Sequence, residues 1–117
     1  MPRSLCPVAS SLDLVGDRWT LLVIRDLLFG NTRFGEFLLS DEHIPTNVLA
    51  DRLKRLERED LVACVPYSSH PLRVEYHLTD DGRTLGRVVD ALADWGTRHF
   101  PGTRRRFFPD DIVSGVE

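Results

Sequence analysis

The feature that most constrains the fold of this 117-residue chain is a change in the spacing of its apolar residues near residue 60. Before that point, four apolar residues recur at intervals of one, four and three positions: Val48, Leu49, Leu53 and Leu56. This spacing predicts one amphipathic helix over residues 45–59, with Pro45 at or beside its first turn. After it, residues 61–67 and 74–78 are rich in Val and aromatic residues and favour strands. Because residues 68–71 are turn-forming, the chain is predicted to pass from a helix directly into a β-hairpin.

Helical spacing also occurs on both sides of this pair of elements. A short apolar stripe predicts a first helix that ends at Gly16. Asp17 is a suitable N-cap for a second helix, which stops at Gly30. Thr32 is a suitable N-cap for a third helix, and Thr79 for a last helix after the hairpin. This order of elements is that of a winged helix-turn-helix. The predicted fold class is therefore α+β and mainly helical, with a two-stranded β wing and a flanking helix at each end.

Length and composition predict one soluble domain in three parts: a core over residues 7–100 and tails over residues 1–6 and 102–117. With 42% hydrophobic and 28% charged residues, the chain is neither disordered nor membrane-embedded. Its apolar runs fall far short of the roughly 20 residues that span a bilayer, and no secretory signal is recognisable. Two cysteines are too few for a disulfide scaffold, which favours a reducing cytoplasm.

The charge of the chain is unevenly distributed. The net charge is −3, which argues against nonspecific coating of nucleic acid. Residues 44–58, however, carry four cations and two acids. Of the 15 cations in the chain 14 are Arg, whose planar guanidinium suits phosphate and guanine contacts. The polar face of the predicted helix therefore favours DNA binding, although an ordinary solvated helix face explains the same charges.

The chain resembles the HxlR-type transcriptional regulators of bacteria and archaea over residues 6–100. The resemblance is carried by blocks whose order and spacing together are specific: Cys-Pro-Val at 6–8, LVGDRWTLL at 14–22, RFGEF at 33–37, NVLADRLKRLE at 47–57, VEYHLT at 74–79, Gly82 and Trp95-Gly96. It implies a homodimeric winged-helix repressor or activator, with its N- and C-terminal helices at the dimer interface. It also places the recognition helix at 45–59 and the wing at 66–73.

The recognition helix departs from that family at its start. Many members begin it with Ser-Pro, where this chain has Pro45-Thr46. Thr46 is therefore expected to take over capping or a phosphate contact.

The predicted partner is double-stranded DNA, bound by a homodimer at a pseudo-palindromic operator with half-sites about 34 Å apart. The candidate DNA-contacting residues lie on the helix, on the wing and before the third helix: Arg33, Thr46, Asn47, Asp51, Arg52, Lys54, Arg55, His70 and Arg73. Thr46, Asn47 and Arg52 are expected to carry sequence choice, and Arg55 and Arg58 to contact flanking phosphates. A winged-helix module that contacts only other proteins is the alternative, and loss of cations from the helix would favour it.

Cys6 is the candidate regulatory residue. The resemblance aligns it with a cysteine that some family members use to sense quinones, aldehydes or oxidants, which implies a small-molecule or electrophile effector. The alternative for Cys6 is a small apolar residue near the dimer interface. Cys64 is predicted to lie in the core, and Trp19 and Trp95 in the core or an interface, where they could line a cavity against the dimer partner. The run 104–106 either clamps DNA or keeps the tail soluble.

No enzyme activity, cofactor or metal is predicted. The four histidines are His43, His70, His77 and His99, and none pairs with another His or a Cys at metal-binding spacing. The sequence has no Gly-x-Ser-x-Gly, no glycine-rich phosphate loop and no His-Glu-x-x-His.

Overall fold

The computed structural model describes residues 4–106. Over that range the helices and strands are, in order, α1 (Pro7–Val15), α2 (Thr20–Leu28), α3 (Phe34–Phe37), α4 (Thr46–Arg58), β1 (Val62–Ser69), β2 (Leu72–Leu78), α5 (Asp80–Arg83) and α6 (Gly86–His99). The step from α4 into the antiparallel β1–β2 hairpin confirms the predicted winged helix-turn-helix. Residues 107–117, which hold most of the predicted C-terminal tail, lie outside the described residues.

The predicted apolar stripe of α4 is its buried face. Leu49, Leu53 and Leu56 are each no more than 1% exposed, and they join a core that includes Ile24 and Leu28 of α2. Burying one such side chain contributes about 1.5–3 kcal/mol, so this stripe stabilises one orientation of α4 strongly. It thereby determines which residues of α4 point away from the protein.

The wing is a regular hairpin with one irregularity. β1 and β2 pair from Val62 opposite Leu78 to Ser69 opposite Leu72, with a bulge between Pro66 and Ser68. A backbone hydrogen bond joins the wing to the residues before α3, since the backbone N–H of Tyr76 donates to the carbonyl of Thr32 at 2.7 Å.

The prediction that Cys64 lies in the core is wrong. In β1 only Val62 is buried, and Cys64 is exposed. The apolar spacing of the strand resembled that of a buried strand, but past its first residues the hairpin extends beyond the core, where no second layer formed by residues 4–106 covers it.

The second helix begins at Thr20, two residues later than a cap at Asp17 would place it. The Asp17 carboxylate nevertheless accepts hydrogen bonds from the backbone N–H groups of Trp19 and Thr20, at 3.0 and 3.2 Å. It therefore satisfies donors in the turn that leads into α2. The predicted stop at Gly30 is confirmed, because this residue follows α2 with a φ of 104°, a backbone conformation that favours glycine.

The predicted cap at Thr32 is wrong. The N-cap of α3 is Arg33, and the backbone N–H groups of Thr32 and Arg33 donate to the Glu36 carboxylate, each at 2.8 Å. A carboxylate in the first turn thus satisfies the free donors that a hydroxyl was expected to satisfy.

The predicted last helix is two helices. Thr79 caps α5 as predicted: its Oγ1 accepts from the N–H of Gly82 at 3.0 Å and donates to the carbonyl of Asp60 at 2.6 Å. A Cβ on Gly82 would lie 2.0 Å from the carbonyl oxygen of Leu61, so this close approach requires glycine. Because these contacts hold α5 against the residues that precede β1, α6 begins as a separate helix.

Candidate nucleic-acid interface

The exposed face of α4 is polar along its length. It carries hydrogen-bonding groups near the N-terminus and mixed charges further on: Thr46, Asn47, Asp51, Lys54, Glu57 and Arg58. Because the apolar stripe holds the opposite face in the core, these six side chains form a continuous surface that another molecule can reach.

Helix α4 begins as the sequence predicts, with Pro45 as its N-cap at φ −62° and ψ 142°. Thr46 is the first helical residue, and no capping hydrogen bond from its side chain occurs among the described residues. Because Pro45 takes the N-cap position, Thr46 does not cap α4 as expected, and its phosphate contact stays a prediction. The side chains of Thr46 and Asn47 are exposed at the end of the helix where backbone N–H groups are free.

Arg52 is engaged within the protein. Its Nε donates to Oδ2 of Asp17 at 2.8 Å and its Nη1 to Oδ2 of Asp51 at 2.5 Å, and its side chain is 21% exposed. Burial alone would raise the pKa of the Asp17 carboxyl. Hydrogen bonds from Arg52, from the Thr20 hydroxyl and from the Trp19 backbone outweigh burial and hold that pKa well below its ordinary value.

Arg55 is also turned toward the protein. Its Nη2 donates to the carbonyl oxygens of Leu14 and Asp13, at 3.0 and 3.4 Å, and its Nη1 lies 4.0 Å from Oδ1 of Asp17. Those carbonyls belong to the last turn of α1, where a helix has free acceptors and a partial negative charge. Arg52, Arg55, Asp17 and the end of α1 therefore form one contact, called the Asp17 junction below.

A second ion pair holds the loop that leads into α4. Nη2 of Arg25 on α2 lies 2.7 Å from Oε1 of Glu42 and 2.8 Å from Oδ1 of Asp26, and donates to the Ser40 hydroxyl at 3.0 Å. The hydrogen bonds from Arg25 and Ser40 lower the pKa of Glu42 to about 2. Burial raises the pKa of Asp26, against the opposing effect of Arg25. The loop that leads into α4 is thus tied to α2.

The wing presents its cations at its base and near its tip. At the base, the Arg33 guanidinium lies 4.3 Å from the centroid of the Tyr67 ring and its Nε 3.4 Å from Oε2 of Glu75. Near the tip, Arg73 is exposed, and Nδ1 of His70 lies 3.2 Å from the hydroxyl of Ser69. All three predicted wing-side residues are therefore accessible at the surface.

The two cysteines differ in their surroundings. Cys6 is exposed and is the N-cap residue of α1. Cys64 pairs across the wing with Tyr76, and partial burial together with the nearby Glu57 carboxylate raises the pKa of its thiol. Cys64 is therefore poor in the reactive thiolate at neutral pH.

Helices α1 and α6 carry exposed apolar residues. Val8 and Leu12 lie on α1, and Val88, Leu92 and Trp95 on α6, where Trp95 is 54% exposed. Of the two tryptophans, Trp19 is half-buried against the core, while Trp95 stacks on His99 with ring centroids 4.5 Å apart. Exposed apolar area on the terminal helices is typical of a surface that another molecule covers.

The arginines of the run 104–106 differ in their contacts. Arg105 forms ion pairs with Asp90 and Asp94 of α6, and the guanidinium of Arg106 lies 4.1 Å from the ring centroid of Phe29. Arg104 is exposed. This run therefore attaches the end of the described chain to α6 and α2.

Within residues 4–106 no group of three or more His, Cys, Asp or Glu residues could hold a metal ion. In the same range, no helix is long and apolar enough to cross a membrane.

These features define a winged helix-turn-helix protein whose α4 offers a polar face beside a β wing. The family model for the HxlR-like helix-turn-helix matches residues 14–104, and the chain belongs to that family. A relative, the HTH-type transcriptional regulator Rv3095 of Mycobacterium tuberculosis, is 45% identical over 94 residues, which cover 80% of this chain and 59% of the relative. The chain thus spans about three fifths of the length of that relative.

Solved structures agree with this assignment. The crystal structure of PA1607 superposes with a TM-score of 0.77 at 38% identity, covering 89% of this chain and 73% of that one. The redox regulator HypR in its reduced form gives a TM-score of 0.75 at 32% identity, covering 82% of this chain and 95% of HypR. The named relatives are regulators rather than enzymes, which agrees with the expectation that this chain is not an enzyme.

Sequence reasoning identified the exposed residues of α4 but not the Asp17 junction. The sequence marked Asp17 as a helix cap and Arg52 and Arg55 as DNA contacts, and the structure joins all three. One signal was present: Arg52 and Arg55 are three positions apart, so they lie on the same side of a helix and can share one acidic partner.

Replacing Asp17 by Asn is expected to destabilise the fold by about 1–3 kcal/mol at neutral pH, because Arg52 and Arg55 lose a charged acceptor. The pKa of Asp17 is lowered from 3.8 by folding, so its stabilisation is complete above that pH. It is lost as the pH falls through the folded pKa. Urea unfolding at pH 7 and pH 3 should therefore show a smaller difference between the parent and Asp17→Asn at pH 3.

Asp51→Asn is the matched control for that experiment. The Asp51 carboxylate also contacts Arg52 but is 55% exposed, so the change should cost at most about 1 kcal/mol. A loss of stability for Asp17→Asn no greater than that of Asp51→Asn would contradict the structural role of the junction.

Proposed function

We propose that this protein is a sequence-specific transcriptional regulator that binds double-stranded DNA as a homodimer at a pseudo-palindromic operator. The observation that carries the proposal is α4, whose apolar stripe is buried while its opposite face offers polar side chains beside an exposed wing. A helix of that kind fits a major groove about 12 Å wide. The proposed site of action is the DNA of a bacterial cell, and hence the cytoplasm.

The exposed side chains at the start of α4 are proposed to read the bases. Thr46 and Asn47 lie at the end of the helix that enters the groove in helix-turn-helix proteins, and Asp51 lies one turn further on. Asn is suited to a bidentate contact with adenine, and an acidic side chain to the amino group of cytosine. A base contact by Arg52, as expected from the sequence, would require its pair with Asp17 to open. The pairing therefore favours a positioning role for Arg52.

Phosphate contacts are assigned to the accessible Lys and Arg side chains and to the imidazole of His70. Lys54 and Arg58 are exposed on α4, and Arg33, His70 and Arg73 are exposed on or beside the wing. Arg55, which holds the end of α1, is proposed to orient α4 in the same way as Arg52. Phosphate contacts of this kind fix the register of the protein on DNA without selecting a sequence.

The homodimer is proposed to form through α1 and α6. Both helices expose apolar residues on their surfaces, among them Val8, Leu12, Leu92 and Trp95. When two copies pack together through these surfaces, their α4 helices are held at a fixed distance from each other. An operator with two-fold symmetry has half-sites at the same distance.

Cys6 is proposed to regulate the dimer by thiol modification. It is exposed immediately before α1, and α1 contacts α4 through the carbonyls that accept from Arg55. A change at Cys6 that moves α1 would therefore move the recognition helix. HypR, which resembles this chain in structure, is a redox regulator.

Selection of bound duplexes from random DNA by the purified protein tests the proposed function. We expect inverted repeats whose half-site centres lie about 10 base pairs apart, because one helical turn separates the two recognition helices.

On the selected site, Asn47→Ala should relax the base preference at one position per half-site and weaken binding by about 1–3 kcal/mol. Lys54→Ala should weaken binding to all DNA sequences alike. It should also reduce the slope of log affinity against log salt concentration by about one per half-site.

Arg98→Ala is the control for these variants, since it removes an exposed cation from α6 rather than from α4 or the wing. It should leave both the selected sequence and the salt slope unchanged. Absence of any enriched sequence would reject DNA recognition and favour the alternative module that contacts only proteins.

Treatment with a quinone tests the regulatory role of Cys6. The affinity of the parent for the selected site should change, because addition of the thiolate to the quinone places a bulky group at the start of α1. Cys6→Ser should not respond, whereas Cys64→Ser should respond like the parent. An equal response of Cys6→Ser and the parent would exclude Cys6 as the sensor.

A further inference from the structure

An open groove of about 740 Å³ lies between α2, residues 39–42, α6 and residues 103–106. Four α6 residues line it, at intervals of four, three and one positions: Val89, Ala93, Gly96 and Thr97. That spacing places them on one face of α6. The exposed residues Val88 and Leu92, which belong to the proposed dimer interface, each precede a lining residue and lie on another face. The groove is therefore separate from the surface assigned to the second copy.

The size and floor of the groove suit a small ligand with a flat apolar body. Its volume is within the range of about 300–1,000 Å³ that is usual for ligand sites. The Phe29 ring and the short side chain of Ala93 supply apolar surface. At Gly96 a Cβ would have no neighbouring atom within 4 Å, so there is free space over this part of α6.

Most charges around the groove are already paired within the protein. Arg25 is neutralised by Asp26 and Glu42, and Arg105 by Asp90 and Asp94. The Glu36 carboxylate accepts two backbone N–H groups. A ligand cannot use these groups without breaking existing contacts.

Two cations at the groove have no carboxylate of residues 4–106 bonded to them. Arg104 is exposed and has no ion pair with a described residue. The guanidinium of Arg106 stacks on Phe29, with Asp26 close enough for an electrostatic effect. Three acids at the same groove are exposed, but Glu36 and Glu42 already have partners, and only Asp41 has no ion pair with a described residue. The groove therefore offers two guanidinium groups beside the Phe29 ring, against one carboxylate without a partner among the described residues.

We propose that this groove binds a small planar aromatic carboxylate. Its ring lies over Ala93 and the open space at Gly96, beside the Phe29 ring that the Arg106 guanidinium covers, and its carboxylate accepts hydrogen bonds from Arg104 and Arg106. The loop of residues 39–42 lines the groove and is separated from Thr46, the first residue of α4, by residues 43–45. A ligand that contacts this loop and α6 together therefore has a route to the recognition helix, and this regulatory consequence rests on the proposed function.

Calorimetric titration of the full chain with 2-naphthoate tests the site. We expect saturable binding of one 2-naphthoate per chain, with the neutral alcohol 2-naphthylmethanol at least about ten-fold weaker because it lacks a charge-assisted hydrogen bond. Arg104→Ala should lower the affinity for 2-naphthoate by about ten-fold. Arg98→Ala, outside the groove, should leave that affinity unchanged. Gly96→Leu should abolish binding by filling the groove, with its thermal midpoint checked to exclude unfolding.

Three results would overturn the proposal. Absence of saturable binding would show that the groove does not bind 2-naphthoate. Equal affinities for 2-naphthoate and the alcohol would show that the carboxylate is not recognised. Binding that survives both Arg104→Ala and Gly96→Leu lies elsewhere. Because the titration contains no DNA, its failure is separate from a failure of the proposed function. Unchanged affinity for selected DNA at saturating 2-naphthoate would reject the regulatory consequence alone.

Discussion

The Asp17 junction is the interaction on which the position of the recognition helix depends. One carboxylate between α1 and α2 accepts from Arg52 of α4 at 2.8 Å, while Arg55, one turn further, donates to the last carbonyls of α1. Charged hydrogen bonds are directional, unlike the apolar contacts of the core beneath them. The core thus determines which face of α4 is outward, and the junction fixes the tilt of α4 relative to α1, the helix proposed to carry part of the dimer surface.

The Asp17 junction also reduces the positive charge that α4 exposes. Residues 44–58 carry four cations, but Arg52 and Arg55 point into the protein and are partly covered. The exposed face keeps Lys54 and Arg58, together with the acids Asp51 and Glu57. Its charge is therefore balanced, so α4 itself contributes little nonspecific attraction to DNA. Discrimination by hydrogen bonds from Thr46 and Asn47 is the mode of recognition that such a surface favours.

The sequence was sufficient for the order of elements and insufficient for the pairing of side chains. The change of apolar spacing near residue 60 predicted α4 and the hairpin because helix and strand periods are local properties of the chain. The Arg52–Asp17 pair joins residues 35 positions apart, which no local pattern encodes. Cys64 was misplaced for a related reason: its neighbours have the spacing of a buried strand, but burial depends on a second layer that the wing lacks. The groove is likewise formed by segments distant in sequence.

A double-mutant cycle on operator affinity tests most directly whether Arg52 acts through Asp17. Asp17→Asn, Arg52→Gln and the double variant are compared on one selected DNA site, under conditions where each is folded. If the pair positions α4, both single variants weaken binding and the double variant is no weaker than either one. If instead Arg52→Gln weakens binding by about 1–3 kcal/mol while Asp17→Asn leaves it unchanged, Arg52 contacts a base directly and the account is wrong.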